Sequence, residues 1–276
     1  MLALWRDRVA MFGLAIVLLI VVLAIFGQWI APYPEDAYDV KVWQRLRPPS
    51  AEFFMGTDAL GRDIFSRVIM GAQVALIISV TVVLASALIG VPLGLIAAWR
   101  TGWVSDAVMR VTDIFLAVPQ LVLALAFAAV MAPSIQTAML ALTLTYWPFF
   151  TRIVYGEARR VRSALFIDAL ESVGASPLRI AVMHILPNIA PAIIVRATIG
   201  FGVTILVAAA LGFLGMGAAP PTPEWGLMVA ESRRYLPQSW WFSLFPGLAI
   251  LFTVLAFNLL GDGLRDVVDP RLRRSR

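Results

Sequence analysis

Residues 156–188, GEARRVRSALFIDALESVGASPLRIAVMHILPN, are polar where the chain on both sides of them is strongly apolar. They contain four arginines at positions 159, 160, 162 and 179 and three acids, Glu157, Asp168 and Glu171. Charged side chains at this density are excluded from the hydrocarbon core of a bilayer. We therefore place this segment in water, next to a membrane that the flanking runs cross.

The first half of this segment predicts a charged helix with one broad apolar face. Apolar residues recur there at three- and four-residue spacing, which is the period of a helix. An apolar face of this width needs cover. It either lies back on its own bundle or on the lipid surface, or it docks into a groove of a soluble partner. The face consists of Val161, Ala164, Leu165 and Ala169, flanked by Phe166, Leu170 and Val173.

The second half predicts a tight turn and a short helix. Gly174 stands where the end of a helix requires a positive φ. Ser176 is suited to cap the next helix and Pro177 to occupy its first position. Pro187 and Asn188 are expected to end that helix and to begin the next apolar run.

The motif within this segment resembles the cytoplasmic EAA loop of ABC-importer permeases. Asp168-Ala169-Leu170 is followed by Gly174 and later by Leu186-Pro187, where the family has Glu-Ala-Ala, three residues, Gly and a later Leu-Pro. Asp replaces Glu and Leu replaces the second Ala. In that family the loop inserts into a cleft on the ATP-hydrolysing subunit. The resemblance therefore implies an ATPase-coupling site made of Leu165, Asp168, Ala169, Leu170, Gly174, Ala175, Ser176, Leu186 and Pro187.

The composition excludes an ordinary soluble domain. Hydrophobic residues make up 61% of the 276-residue chain and charged residues only 14%, whereas charged residues are about a quarter of a typical soluble domain. There is no cysteine, so a disulfide framework and a thiolate metal site are excluded. The net charge of +5 is explained by basic residues held on the cytoplasmic side of a membrane, and no nucleic-acid partner is expected.

Six apolar runs predict an all-α, polytopic membrane protein with six transmembrane helices. Pro119 and Pro148 are expected to kink the third and fourth spans. In the fifth span, small residues allow helices to approach closely, within this chain or against a second permease subunit. These small residues are Gly200, Gly202, Ala208, Gly212 and Gly215. The six runs are residues 9–30, 72–98, 106–131, 137–155, 189–214 and 242–260.

Two polar segments are expected on the outer side. Within residues 31–71, GTDALGRDIFSRVIMG predicts an interfacial helix with Arg62, Asp63, Ser66 and Arg67 on its polar face. The alternative is a capped turn that uses Gly56 and Gly61. Within residues 217–241, residues 224–235 predict a short helix against the outer surface, and tryptophans suit a membrane–water boundary. Those tryptophans are Trp225, Trp240 and Trp241.

The third span contains three charges, Asp106, Arg110 and Asp113. Arg110 lies four residues after one acid and three before the other, so both can neutralise it on one helix face. Charges inside a span suggest a substrate or proton site by default. Near the end of a span their cost is lower, and we favour a structural ion-pair cluster.

Motifs for catalysis are absent from the sequence. There is no GxxxxGK[ST] phosphate loop, no HExxH and no GxSxG, so the chain is expected to be a non-catalytic protein that binds no metal. The one histidine, His184, is interpreted as a capping or packing residue. The distribution of Lys and Arg places the 152–187 loop and both termini in the cytoplasm.

Further motifs extend the resemblance over nearly the whole chain: the GTD-LGRD run, PPTPEWG, FPG, NLLGDGLRD and DPR. The chain resembles the C-type permease subunit of a dipeptide, oligopeptide or nickel ABC importer. That resemblance implies a type I importer permease fold in a bacterial or archaeal inner membrane, and transport by alternating access. The implied partners are a second permease in a heterodimer, two ATPase subunits that hold ATP and Mg, and an extracytoplasmic substrate-binding protein; no cofactor is implied on this chain.

The resemblance also implies a division of the chain. Residues 1–71 would form an anchor helix and an extracytoplasmic segment, residues 72–262 the transmembrane core, and residues 263–276 a basic cytoplasmic tail. The closing signature consists of Asp262, Arg265, Asp266, Asp269 and Arg271.

Two other classes of function remain open from the residues. An ion-coupled secondary transporter would need a titratable carboxylate or an interrupted helix pair near mid-membrane. Apart from Asp113, the spans offer no such acid. A purely structural membrane protein is the second alternative.

Overall fold

The computed structural model describes residues 7–268, which are helical apart from turns and one isolated bridge between Thr57 and Asp63. Short 3₁₀ segments lie at Glu35–Ala37, Val42–Gln44 and Arg233–Tyr235, and a π segment lies at Ala181–Ile185. The α-helices are α1 Arg8–Ile30, α2 Ile64–Trp99, α3 Trp103–Ala117, α4 Gln120–Ala128, α5 Ile135–Arg162, α6 Leu165–Ser172, α7 Pro177–Ile180, α8 Leu186–Phe213, α9 Trp225–Ser232 and α10 Trp240–Val268.

Within residues 7–268, four helices are long and apolar enough to cross a membrane, or five if the bent pair α3–α4 is counted as one span. The four are α1, α2, α10 and the continuous helical run Pro177–Phe213. The expected runs 9–30, 72–98, 189–214 and 242–260 lie in these four. Of the six expected spans, the third lies in the bent pair α3–α4, and the fourth lies in α5, which is not among these helices.

The third expected span is broken. Helices α3 and α4 meet at 91° across Val118 and Pro119. Val118 has extended backbone angles, φ −94° and ψ 134°, as the residue before a proline usually does, because the proline ring disfavours helical geometry there. The kink expected at Pro119 is thus a complete break in the helix. Hydropathy does not reveal the break, because the sequence remains apolar on both sides of it.

The fourth expected span lies in α5, which is long enough to cross a membrane but less apolar than the others. Threonines, Tyr146, Trp147 and Pro148 interrupt its apolar residues. These side chains are mostly buried, because α5 packs against α2, α8 and the α3–α4 pair. A helix covered by protein does not need a surface as apolar as lipid, which explains its composition.

Helix α2 has two ends with different neighbours. Its 36 residues span about 54 Å at 1.5 Å per residue. Its N-terminus packs with the segments before α2 and after α8, and its C-terminus packs with α5 and the segment that joins α5 to α8. We name the N-terminal end of α2, with its neighbours, the latch end. We name the C-terminal end of α2, with its neighbours, the loop end. The boundaries expected at residues 71/72 and 262/263 fall inside α2 and α10.

The glycines of α8 allow close packing within this chain, which is one of the two roles expected for them. A Cβ at Gly200 would lie 2.7 Å from Oη of Tyr146 on α5, and one at Gly202 would lie 3.2 Å from the carbonyl oxygen of Val254 on α10. Gly212 lies against the carboxylate of Glu224. Each glycine therefore lets a different neighbour approach the backbone of α8.

The latch end corrects the expected interfacial helix. Ile64 begins α2 itself, and Gly56 and Gly61 form the preceding turns with φ of +72° and +79°. The side chains of Arg62 and Arg67 are 1% and 0% exposed, so this polar face lies inside the protein and not in water. The alternative of a capped turn that uses Gly56 and Gly61 was right. The prediction that Arg62 and Arg67 lie on the polar face of an interfacial helix was wrong.

Two of the three tryptophans expected at a membrane–water boundary are buried. Trp225 and Trp241 pack in the core of the latch end, where Nε1 of Trp225 donates to the carbonyl of Val68 at 3.0 Å and Nε1 of Trp241 to that of Thr57 at 3.3 Å. Trp240 is half-exposed. The indole N–H groups hold the backbone in place because a buried donor requires a partner.

Candidate functional site

The segment between α5 and α8 begins with a break that the sequence did not suggest. Helix α5 continues to Arg162, Ser163 caps it, and extended Ala164 separates it from α6. The apolar residues 161–173 therefore lie on two helices with different directions. The expectation of a single charged helix with one face is wrong.

The turn after α6 has the geometry that Gly174 predicts. Gly174 has φ +81°. The amide of Ala175 donates to the carbonyl of Leu170 and that of Gly174 to the carbonyl of Glu171, both at 3.0 Å. These two bonds form a Schellman motif, which satisfies carbonyls at the end of α6. Leu170 and Ala175 also pack in one apolar cluster, the contact that usually accompanies this motif.

The second helix of the segment begins as expected and ends differently. Ser176 caps α7 by accepting a hydrogen bond from the amide of Arg179 at 3.4 Å, and Pro177 occupies the first turn. Pro187 does not end the helix. It lies in the first turn of α8, directly after the π segment, and the helical run continues to Phe213. The π turn widens the backbone just before this ring, and the proline itself occupies the first turn of α8, where its missing amide hydrogen is tolerated.

One side of the segment is anchored in the protein. Ile167 of α6 and Ile180 of α7 are 1% and 0% exposed, and Ile185 is also buried. They pack with Ala98 of α2 and Val154 of α5 in one cluster at the loop end. Burying these side chains fixes the orientation of α6 and α7 relative to the bundle.

The other side of the segment carries exposed apolar residues. Leu165, Val173 and Leu178 are 86%, 80% and 74% exposed. Asp168 is exposed beside them, and its carboxylate has no hydrogen-bond or salt-bridge partner among residues 7–268. We name Leu165, Asp168, Val173 and Leu178 the exposed face.

The nine residues predicted for ATPase coupling do not share one environment. Leu170, Ala175 and Leu186 are half-buried against the protein's own bundle. The remaining six are exposed: Leu165, Asp168, Ala169, Gly174, Ser176 and Pro187.

Arg162 joins this segment to the end of α2, a contact that sequence reasoning missed. Its guanidinium carbon lies 4.6 Å from the ring centroid of Trp99, and Nη1 donates to the carbonyl oxygens of Ala98, at 3.2 Å, and of Trp99. These are carbonyls at the C-terminus of α2, where a cation is favoured. In the sequence, Arg162 is one of several basic residues of this segment, and nothing distinguishes it from the others.

The three charges of the expected third span are arranged differently from the prediction. Asp113 of α3 forms a salt bridge with Arg152 of α5. Arg110 is exposed and has no salt bridge to Asp106 or Asp113 within the described part of the chain. Asp106 lines a cleft of about 400 Å³ at the loop end, together with Arg100, Tyr155, Arg159 and Arg162. The pairing along one helix is replaced by a pairing between two helices.

His184 lies half-buried in the π segment, and its carbonyl accepts a hydrogen bond from Nδ2 of Asn188 at 2.6 Å. No group of three or more His, Cys, Asp or Glu side chains suited to a metal ion occurs within residues 7–268. Of the closing signature, Asp262, Arg265 and Asp266 lie near the end of α10, whereas Asp269 and Arg271 lie outside the described residues.

A second polar cluster lies at the latch end. Nε of Arg62 is 2.6 Å from Oδ2 of Asp58, and Nη2 of Arg62 is 3.2 Å from Oε2 of Glu231 on α9. Arg67 lies 3.6 Å from the Asp58 carboxylate and donates to the carbonyl of Ala37 at 2.7 Å. We name Asp58, Arg62, Arg67 and Glu231 the latch. Burial raises the pKa of Glu231, and Arg62 and Arg67 oppose that rise.

Glu224, in the segment between α8 and α10, caps α9. Its carboxylate accepts hydrogen bonds from the amides of Gly226 and Leu227 at 2.8 and 2.7 Å. Burial raises the pKa of Glu224 to about 7, although these two bonds lower it. The cap therefore changes its charge near neutral pH.

Two families match this chain. Residues 90–274 match the family described as binding-protein-dependent transport system inner membrane component, and residues 1–49 match the N-terminal transmembrane domain of oligopeptide transport permease C.

Similar proteins carry names from peptide transport. The protein described as probable D,D-dipeptide transport system permease protein DdpC of Escherichia coli is 43% identical over 93% of this chain and 85% of its own length. The dipeptide transport system permease protein DppC of Alkalihalophilus pseudofirmus is 41% identical over 97% and 88%. The glutathione transport system permease protein GsiD of Shigella boydii is 44% identical over 97% and 88%.

The fold has a counterpart among solved structures. A chain of the inward-facing MetNI methionine ABC transporter superposes with a TM-score of 0.60 at 20% identity, over 73% of this chain and 96% of that one. At this identity the match concerns the arrangement of helices.

Proposed function

Because the chain belongs to the family of binding-protein-dependent transport system inner membrane components, we propose that it is the permease subunit of an ATP-driven importer of small peptides. Peptides are the proposed cargo because similar proteins that cover nearly all of this chain are named for dipeptides and for glutathione. Selectivity among peptides would depend largely on the binding protein.

The observation that carries this proposal is the two-sided segment between α5 and α8. Its inner side is held by Ile167 and Ile180, and its exposed face presents Leu165 and Leu178 together with the exposed side chain of Asp168. An anchored helix pair with an uncovered apolar side is suited to insertion into a groove of another protein. We assign the ATPase subunit as that partner.

The remaining parts of the complex follow from this assignment. Two ATPase subunits would hold ATP and Mg and perform hydrolysis, so this chain would catalyse nothing. A second permease would complete the pathway, and a binding protein would deliver cargo at the latch end. The loop end and both termini would face the cytoplasm of a bacterium or archaeon. Coupling requires that ATP binding at the ATPase subunits changes the free-energy difference between the inward-open and outward-open states of the pathway.

The Arg162 contact to α2 gives movement of the segment a route into the bundle. The guanidinium holds the last carbonyls of α2, which is a single helix as far as the latch end. A displacement of α6 by the ATPase would therefore move α2 as well as α5 and α8.

Reconstitution tests the proposal. The chain, its second permease and the ATPases are placed in liposomes with a binding protein loaded with a labelled dipeptide. We expect uptake that requires ATP and binding protein. Uptake driven by a proton gradient without any ATPase would overturn the proposal and would favour an ion-coupled secondary transporter.

The cargo class has a separate test. The binding protein is purified from cells and the ligand that co-elutes with it is identified by mass spectrometry. A peptide is expected. A metal ion or a sugar would overturn the proposed cargo and leave the ATP-driven mechanism standing.

A further inference from the structure

Arg196 lies inside a membrane-spanning helix. It is on α8, seven residues after Ile189, at which the apolar run of the expected fifth span begins, or about 10 Å along the helix. Charged residues at such a position are rare and mark pathways for substrates or ions. Arg67 on α2 and Arg152 on α5 each have an acid within salt-bridge distance. Arg196 has none within the described part of the chain.

Two aromatic rings of α5 replace the missing acid. The guanidinium carbon of Arg196 lies 5.1 Å from the ring centroid of Tyr146 and 4.5 Å from that of Phe149. The centroids of these two rings are 5.2 Å apart. Faces of aromatic rings attract a cation, and this attraction grows where water is excluded.

Gly200 makes this arrangement possible. It lies one turn after Arg196 on the same face of α8, and a Cβ there would be 2.7 Å from Oη of Tyr146. The absence of a side chain lets the Tyr146 ring lie directly under the arginine. The sequence thus combines a cation, two rings and a glycine at helical spacing on α8 and α5.

The contact with the two ring faces provides no hydrogen-bond acceptor for the guanidinium of Arg196. Nε of Arg196 is buried and has no hydrogen-bond partner among residues 7–268, and the same holds for Oη of Tyr146. Arg196 as a whole is only half-buried, so part of its side chain remains accessible. A guanidinium presents a planar set of donors that matches the two oxygens of a carboxylate.

We propose that Arg196, held by Tyr146 and Phe149, binds the carboxylate of the peptide as it crosses the membrane. This inference rests on the proposed function, because every unmodified peptide carries a carboxylate at its C-terminus. The rings stabilise the cation while the site is empty. Binding would therefore be weak enough to allow release, as a transport pathway requires.

The test compares a dipeptide with the same dipeptide amide. The reconstituted complex receives each compound on saturating binding protein, and the ratio of the two initial uptake rates is measured. Any discrimination by the binding protein is common to all permease variants. We expect Arg196→Gln to lower uptake of the free dipeptide about 10-fold or more while uptake of the amide is unchanged, since hydrogen bonds to a charged group are lost. Arg196→Lys, which keeps the charge without the fork, is expected to give an intermediate ratio.

Each other outcome has a defined meaning. An unchanged ratio in Arg196→Gln with normal uptake would overturn this inference and leave the proposed function intact. Failure of the wild type to import either compound would overturn the proposed function instead. Loss of the second permease from purified Arg196→Gln complexes, with an unchanged ratio in Arg196→Lys, would show that Arg196 pairs with an acid of that subunit and would also overturn it.

A second variant covers the case in which Arg196→Gln does not fold. Tyr146→Phe removes only the hydroxyl and keeps the ring beneath Arg196. We expect a smaller fall in the same ratio, of a few-fold, because one donor is lost. A ratio equal to that of the wild type in both Tyr146→Phe and Arg196→Lys would count against a carboxylate site.

Discussion

The turn at Gly174 offers the most direct test of how the exposed face is held. Gly174 has φ +81°, and a Cβ built there meets nothing within 4 Å. A side chain at this position therefore acts through the backbone alone and not through crowding. Gly156, on the same segment, is also open to solvent but lies within α5 and has no positive φ. The two glycines form a matched pair.

The expected magnitudes follow from this geometry. A left-handed conformation costs an L-residue about 1–2 kcal/mol, so Gly174→Ala lowers the population of the native turn roughly 5- to 30-fold relative to competing conformations. Gly174→Pro cannot adopt this φ and also loses the bond from the Gly174 amide to Glu171. Its cost is about 3 kcal/mol or more, on the order of a 100-fold change.

The assay measures peptides imported per ATP hydrolysed in proteoliposomes with loaded binding protein. We expect Gly174→Ala to lower this ratio several-fold and Gly174→Pro to abolish uptake while the complex still hydrolyses ATP. Gly156→Ala is expected to match the wild type, because alanine favours the helix by up to about 1 kcal/mol. Wild-type coupling in Gly174→Pro would refute the role that we give to the turn.

Three further predictions concern other positions. Leu165→Asp is expected to release the ATPase subunit in pull-down experiments, whereas Leu170→Asp is expected to lower the melting temperature of the permease because Leu170 packs in its own bundle. The pKa of Glu224 is raised from 4.5 to about 7. Its protonated form therefore stabilises the fold, and the free energy of unfolding should fall by on the order of 3 kcal/mol as pH rises through this range. Gly226→Ala would place a Cβ 2.1 Å from the Ala209 carbonyl oxygen, and should cost about 1–3 kcal/mol.

Controls for these three predictions are available in the chain. Equal release of the ATPase by both leucine variants, with unchanged melting temperatures, would contradict the assignment of one leucine to each side. Glu224→Gln should flatten the dependence of melting temperature on pH between pH 4.5 and about 7, and an unaltered dependence would exclude Glu224 as its source. Gly247→Ala, at an open position of α10, should leave stability unchanged. A similar loss in Gly226→Ala and Gly247→Ala would indicate that crowding at α8 is not the cause.

Local signals in the sequence predicted local structure well. Unbroken apolar runs located α1, α2, α8 and α10, because a membrane span is specified by length and apolarity alone. Gly174, Ser176 and Pro177 predicted a turn and a cap within the segment, because each of these residue types has a particular backbone preference.

Features that depend on distant residues were not predictable in this way. The break at Pro119 leaves no trace in the hydropathy of the run, and the 91° angle between α3 and α4 could not be read from the sequence. Arg62 and Arg67 were placed on an exposed face because their partner Glu231 is 169 residues from Arg62. Arg196 had a visible signal, a lone charge in an apolar run, but its aromatic neighbours lie on another helix.

The latch has a consequence for how the chain is made. Arg62 leaves the ribosome long before Glu231, and at about 5–20 residues per second the interval is on the order of 10 to 30 s. During that time Asp58 is the one acid of the latch that has already been made. Until α9 is made, Arg62 and Arg67 therefore lack the second acid of the latch, and the segment before α2 is not yet joined to the segment after α8.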